Sequence, residues 1–233
     1  MGNSMQNFTA ATAGSRIPAA LALRGAANLP RQAAAPLPQG QRRHIAKGEE
    51  LFAEGHSADY FYKVVSGTVR TCKLLSDGRR QIEAFHLHGD LFGLESGRTH
   101  RFTAEAVDDV EILAFRHGHL TSLVHDHPEF GDQIMAATLA SLDRAHDHMV
   151  LLGRKTAQEK IASFLLDMAC RLAQADHFDL PMQRADIADH LGLTIETVSR
   201  TLTQMVRDGF ISLAATGRTI ILSDRAALEE LNA

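Results

Sequence analysis

The chain has 233 residues, 45% of them hydrophobic and 22% charged, with a formal net charge of −4. Collagen-like and wholly disordered chains are excluded by that composition, and no run approaches the roughly 20 apolar residues needed to cross a bilayer. Two cysteines, Cys72 and Cys170, are too few for a disulfide framework or a four-thiolate metal site. The first residues lack the pattern of a secretory signal, so a cytoplasmic location and no membrane partner are expected. The charge balance points to no polyanionic partner either, so a nucleic-acid function must rest on local chemistry.

Residues 1–42 are rich in Ala and hold four of the six prolines, Pro18, Pro30, Pro36 and Pro38. Small side chains bury little surface against the ordering entropy, which predicts a mobile extension with room for a short helix at Ile17–Leu23. From residue 43 to 126 the punctuation changes, with Gly48, Gly55, Gly67, Gly78, Gly89, Gly93 and Gly97 in succession. Between them lie β-rich runs at Glu50–Phe52, Tyr60–Val65, Thr68–Leu75, Gln81–His86, Phe102–Ala106 and Val110–Phe115. That rhythm predicts a compact antiparallel barrel or sandwich, with a hairpin turn at Ser76-Asp77-Gly78.

Residues 127–153 read as one long helix. Met135, Thr138, Leu142, Ala145, Met149 and Leu152 follow one another at steps of three and four, the spacing of a heptad seam. Such a seam serves dimerisation; the alternative is a helix lying on its own barrel, and Leu139, Val150 and Leu151 add apolar surface for both. No seam position is charged, so a dimer formed here needs no trigger.

Residues 154–233 read as helices at Thr156–Ala173, Gln183–Leu191 and Thr194–Arg207, then a hairpin of Phe210–Ala214 and Thr219–Leu222. The stretch Arg184–Gly209 has the form of a helix-turn-helix. Ala188 permits close helix approach, Gly192 supplies a positive φ, Leu193 plugs the gap, Thr194 caps the second helix, and Val198 and Leu202 face inward. Helical spacing then exposes Ile195, Glu196, Ser199 and Arg200, with Glu196 and Arg200 placed for an i, i+4 pair. An Arg fork matches guanine O6 and N7, a carboxylate accepts from the cytosine amino group, and Ile195 can touch a thymine methyl. Thr197 and Thr201 can bond phosphates or base edges. Yet residues 151–233 hold nine Lys and Arg against eleven Asp and Glu. Binding to duplex DNA therefore requires Arg154, Lys155, Arg184, Arg200, Arg207 and Arg218 to converge on one face.

The order of parts resembles the Crp/Fnr family of bacterial transcription regulators. The resemblance rests on Lys47-Gly48-Glu49-Glu50-Leu51-Phe52 with Glu54-Gly55, on Val65-Ser66-Gly67-Thr68-Val69-Arg70, and on His88-Gly89-Asp90-Leu91-Phe92-Gly93. Most specific is Leu193-Thr194-Ile195-Glu196-Thr197-Val198-Ser199-Arg200, on the Fnr-like side. The resemblance implies an α+β fold: an N-terminal antiparallel β-roll like a cyclic-nucleotide-binding domain, a long dimerisation helix, and a C-terminal winged helix-turn-helix. It implies that Glu196, Ser199 and Arg200 read bases, assisted by Ile195 and Thr197, with Arg184, Thr194 and Arg218 as further DNA contacts. The target implied is a palindrome of TTGA-type half-sites.

Fnr-type iron–sulfur sensors hold their cluster on cysteines, and here none precedes Cys72. Cyclic-nucleotide members carry a longer phosphate cassette than Gly93-Leu94-Glu95-Ser96-Gly97 through Arg101-Phe102-Thr103-Ala104, where Phe102 intrudes; Arg101 leaves an effector-dependent regulator binding a cyclic nucleotide in the β-roll as the alternative. The remaining resemblance is to the FixK-like branch: activators without a cofactor, serving microaerobic, anaerobic or nitrogen-fixing metabolism. Asp77-Gly78-Arg79 and loops of the wing are the expected contacts to RNA polymerase.

Thirteen histidines, including His86-Leu87-His88, His117-Gly118-His119, His125-Asp126-His127 and His146-Asp147-His148, raise a rival reading as a cupin-like metalloenzyme. An i, i+2 pair on a strand shares one face. However, no Glu follows His88 at the needed spacing, and His146 and His148 diverge by about 200° on a helix. The histidines are therefore expected to be solvated or packed, with no metal and no catalytic residue. Both cysteines are expected to be small buried hydrophobes.

Overall fold

The computed structural model describes residues 40–172, 176–214 and 218–232. The short helix predicted at Ile17–Leu23, most of the 1–42 extension and the wing-turn residues Thr216 and Gly217 lie outside the described residues.

The first half holds two four-stranded antiparallel sheets. One runs in the order β1 (Gln41–Ile45), β8 (Val110–Arg116), β3 (Tyr60–Ser66), β6 (Leu91–Phe92); the other in the order β2 (Glu50–Phe52), β7 (Thr103–Ala106), β4 (Val69–Leu74), β5 (Arg80–His86). Successive side chains on a strand point to opposite faces, and both faces are apolar here. On β3, Tyr62 and Val64 face the interior of the roll with Val110, Ile112 and Ala114 of β8. Phe61 and Phe115 face outward, where they pack Phe130 of the helices beyond. On the second sheet, Val69, Ala104 and Ala106 turn inward, whereas Cys72, Ile82 and Phe85 join a core with the C-terminal half. Gly67, between β3 and β4, sits at φ +79, and a Cβ there would project against Asp109 O and lie 2.8 Å from Asp108 Oδ1. No side chain fits there.

A 3-10 turn at His117–His119 and α1 (Leu120–Asp126) lead into α2 (Pro128–Arg154), one unbroken 27-residue helix. α3 (Ala157–Arg171) begins with a reciprocal capping box between Thr156 and Glu159. A three-stranded antiparallel sheet, ordered β10 (Ile211–Leu213), β11 (Thr219–Leu222), β9 (His177–Asp179), flanks α4 (Arg184–Leu191), α5 (Ile195–Arg207) and α6 (Arg225–Asn232).

Five elements went unread in the sequence: β1, β6, β9, α1 and α6. Each is short or lacks a clear apolar stripe; α1 buries nothing and α6 buries only Leu228. The expectation of two buried cysteines is corrected. Cys72 is buried, its thiol pushed up to about 11 mainly by that burial, whereas Cys170 lies exposed near the end of α3. The face-sharing histidine pair that the rival metalloenzyme reading needs is not made, because β5 ends at His86, as the strand run Gln81–His86 has it. His86 is buried, stacked on Phe92 and bonded to Thr71 Oγ, while His88 is exposed and bonded to Val65 O.

Candidate nucleic-acid interface

Helices α4 and α5 form the predicted helix-turn-helix. Gly192 closes α4 in the left-handed region at φ 62, ψ 41, and a Cβ there would lie 3.3 Å from Leu152 Cδ2. The Leu193 N–H donates to Ala188 O at 3.0 Å, so the chain turns within one residue, and Leu193 packs half-buried against the C-terminal core. Thr194 Oγ accepts from the Thr197 N–H at 3.2 Å and caps α5. Val198, Leu202 and Met205 bury one face of α5 against α3 and α4.

The opposite face is open. Ile195 is 44% exposed, and Glu196, Arg200 and Thr194 are exposed beside it. Glu196 and Arg200, though spaced for an i, i+4 pair, do not make one: what faces the Glu196 carboxyl is its own backbone N–H and the Thr194 hydroxyl. Both hold it below the usual carboxylate range, and the helix N-terminus favours its charge. The Arg200 guanidinium is left to reach outward.

Two expectations change in detail. Ser199 is half-buried rather than exposed, Thr197 is half-buried as well, and Ser199 Oγ accepts a bond from Arg184 Nη1 at 3.2 Å. Arg184 thus braces α5 from the first turn of α4. It shares a shallow cleft with Gln183, Leu202 and Arg218, so Arg184 and Arg218 do flank the recognition helix together. Lys155 does not join them. Its Nζ donates to Ser163 Oγ and to the backbone and side-chain oxygens of Asn232, turned into the α3–α6 joint.

The helix seam residues Met135, Thr138, Leu142, Ala145, Met149 and Leu152 all lie exposed along one stripe of α2. A neighbouring stripe of Phe130, Ile134, Arg144, His148 and Leu151 packs on the chain itself.

Residues 159–231 match the Crp-like helix-turn-helix domain and residues 42–127 match the cyclic nucleotide-binding domain. The chain is 49% identical over 193 residues to the nitrogen fixation regulation protein FixK of Azorhizobium caulinodans, covering 81% of this chain and 77% of that one. It is 43% identical to FixK of Bradyrhizobium diazoefficiens over 83% of each chain. Among solved structures, FixK2 from Bradyrhizobium japonicum superposes with a TM-score of 0.78 at 47% identity, covering 83% of this chain and 98% of that one.

The chain belongs to the Crp/Fnr family. Like its FixK relatives in that family, it is a DNA-binding transcription regulator.

The roll is the part that matches the cyclic nucleotide-binding domain. A nucleotide phosphate needs an open cradle of aligned N–H groups. In this chain Glu95 Oε1 occupies the Arg101 N–H at 3.3 Å and lies 3.5 Å from His100 Nδ1. A His100–Phe52 stack at 3.6 Å, with Tyr62, Phe92 and His86 beyond, fills the adjoining interior. A carboxylate facing these donors opposes a phosphate at this point of the roll.

Proposed function

We propose that this chain acts as a homodimer on a palindrome of TTGA-type half-sites, without a small effector. In this reading Glu196, Ser199 and Arg200 address base edges, with Ile195 and Thr197 assisting. Arg184, Thr194 and Arg218 hold the backbone alongside. A single observation carries the base-reading part: the N-terminal half of α5 presents Glu196 and Arg200 unpaired to each other and exposed, which leaves both polar groups ready for partners in a major groove. The exposed, uncharged seam of α2 supports the dimer, since an apolar stripe of that length in water favours a second copy. A symmetric pair sets its recognition helices about 34 Å apart, one turn of DNA. Four working regions follow: an extension to residue 42, the roll at 43–126, the dimerisation helix at 127–153, and the winged domain at 154–233. The FixK relatives are named for nitrogen fixation regulation, which supports target genes in nitrogen-fixing, microaerobic or anaerobic metabolism. Activation there requires recruiting RNA polymerase, for which the exposed Asp77-Gly78-Arg79 tip and the wing loops are the surfaces, in the cytoplasm.

The test is selection of bound sequences from random duplexes by the purified protein alone. Enrichment of paired TTGA-type half-sites is the expected result. Enrichment only after a cyclic nucleotide or metal is added overturns the effector-free reading.

A further inference from the structure

The outer face of the second sheet is where the roll meets the helix-turn-helix, and the contact falls on α4 rather than on the recognition helix. Asp186, whose side chain is 7% exposed, receives Arg70 Nη1 at 2.8 Å and Arg80 Nη2 at 2.6 Å. Arg80 also bonds Asp189 through Nε at 2.9 Å, one turn further along α4. Both arginines return to Glu105 of β7, Arg70 at 2.6 Å. The other oxygen of Asp186 accepts the Gln183 N–H at 3.2 Å, so the same carboxylate caps α4. Beside this cluster Gln81 Nε2 donates to His190 O and His190 Nδ1 donates to Ile82 O. Lys160 Nζ, buried, closes the far end of α4 on Leu191 O at 3.0 Å.

We propose that Arg80, supported by Arg70, is a positioning residue that sets the angle of the helix-turn-helix against the roll and thereby the separation of the two half-sites the dimer accepts. The proposal rests on the dimeric reading above. Enclosed ion pairs add little net stability, because desolvation offsets the Coulomb attraction. What a bifurcated, planar Arg fork between two carboxylates does supply is a fixed direction. α4 is rigidly packed on α5 through Ile187, Ala188, Leu191, Val198 and Leu202, so an orientation imposed on α4 is inherited by Ile195, Glu196 and Arg200. The clasp touches no residue placed on DNA. Its loss therefore leaves recognition of each half-site intact and loosens only the relation between them.

The experiment measures binding to duplexes in which two half-sites are set at the preferred separation and at one or two base pairs more or fewer. Arg80→Glu turns a carboxylate on Asp186, Asp189 and Glu105 and is expected to cut the preference for the native separation at least ten-fold, with the penalty for a mismatch inside a half-site unchanged. Arg80→Gln, which removes the fork without adding repulsion, is expected to lie between. Adding Asp189→Arg to Arg80→Glu rebuilds a pair of reversed polarity and restores the preference, which a variant that merely folds poorly cannot do. If the unmutated protein prefers one separation and Arg80→Glu and Arg80→Gln keep that preference, or if the reversed pair fails to restore it, the positioning role is overturned alone. If the unmutated protein is indifferent to pairing of half-sites, the dimeric reading falls and the proposal with it.

Discussion

At the scale of single residues, the turn between α4 and α5 decides where the exposed face of α5 points. Replacing Gly192 by Ala forces an L residue into the left-handed region, at about 1–2 kcal/mol, and sets a Cβ 3.3 Å from Leu152 Cδ2, tight enough that the leucine must yield. Gly192→Ala is therefore expected to lower unfolding stability by that amount or slightly more in urea titration, and a neutral result excludes the turn as a strained point. Arg200→Ala is expected to weaken specific binding by about 1–3 kcal/mol, the worth of one bidentate base contact, while leaving affinity for random duplex unchanged. Glu196→Ala instead relaxes preference at one base pair; competition binding against single-base variants of the site separates the two outcomes. The roles of Gly192, Leu193, Thr194, Val198 and Leu202 were legible because each follows from spacing along the chain. The Arg184–Ser199 bond was not. Fifteen residues separate the partners, and their contact depends on how two helices cross. Lys155 was misread for the same reason, since its oxygen partners on Asn232 come from α6, a helix the sequence pattern did not announce.

At the scale of elements, α2 carries two stripes one residue out of step, one turned to the chain and one to solvent. Phe130, Ile134, Arg144, His148 and Leu151 serve the chain, and Met135, Thr138, Leu142, Ala145, Met149 and Leu152 stay outside. A shift of one residue turns the side chain by about 100°, so both stripes fit on one helix without competing. The outer stripe was plain in the sequence as a heptad; the inner one was masked by Arg144 and His148, polar residues in an otherwise apolar row, the His148 ring meeting His190 edge-on. The strands tell the same story. β3 and β8 were found because β-branched and aromatic residues crowd them, whereas β1, reading Gln-Arg-Arg-His-Ile at a sheet edge, shows no alternation. Leu142→Glu with Met149→Glu puts charges on the outer stripe alone. Sedimentation of that variant is expected to give monomer with an unchanged circular dichroism spectrum. A dimer that survives both charges rules this stripe out as the seam.

At the scale of the whole molecule, the roll and the C-terminal half share one apolar core: Cys72, Ile82 and Phe85 pack in the same cluster as Ile161, Phe164 and Leu191. No pattern within either half announces that, because the apolar outer face of the second sheet reads equally well as a dimer surface. His190 sits in this joint, its ring against Phe85, Phe164 and His148, and burial lowers its pKa to about 3. Burial likewise lowers His86, inside the roll, to about 4 from 6.5. Both histidines are neutral when folded. The unfolded chain takes up their protons as pH falls through about 6.5, the fold does not until about 4 at His86 and about 3 at His190, and stability rises with pH wherever the unfolded state binds more protons. Their contribution is therefore complete above pH 6.5 and is lost progressively down to about 4 for His86 and about 3 for His190. Glu83 opposes it, since burial raises its pKa and favours the fold in acid, so the whole-protein slope mixes the two. The difference between variants isolates one. Between pH 7 and pH 5 His86 alone gives up about 2 kcal/mol, from roughly 1.5 units at about 1.4 kcal/mol each. His86→Gln, which keeps a polar group within reach of Thr71 Oγ but cannot titrate, is expected to shrink the pH 7 to pH 5 difference in urea-derived stability by that amount. An identical slope in the variant means that the His86 ring is solvated enough to protonate in place, and that the interior of the roll is open to water rather than filled.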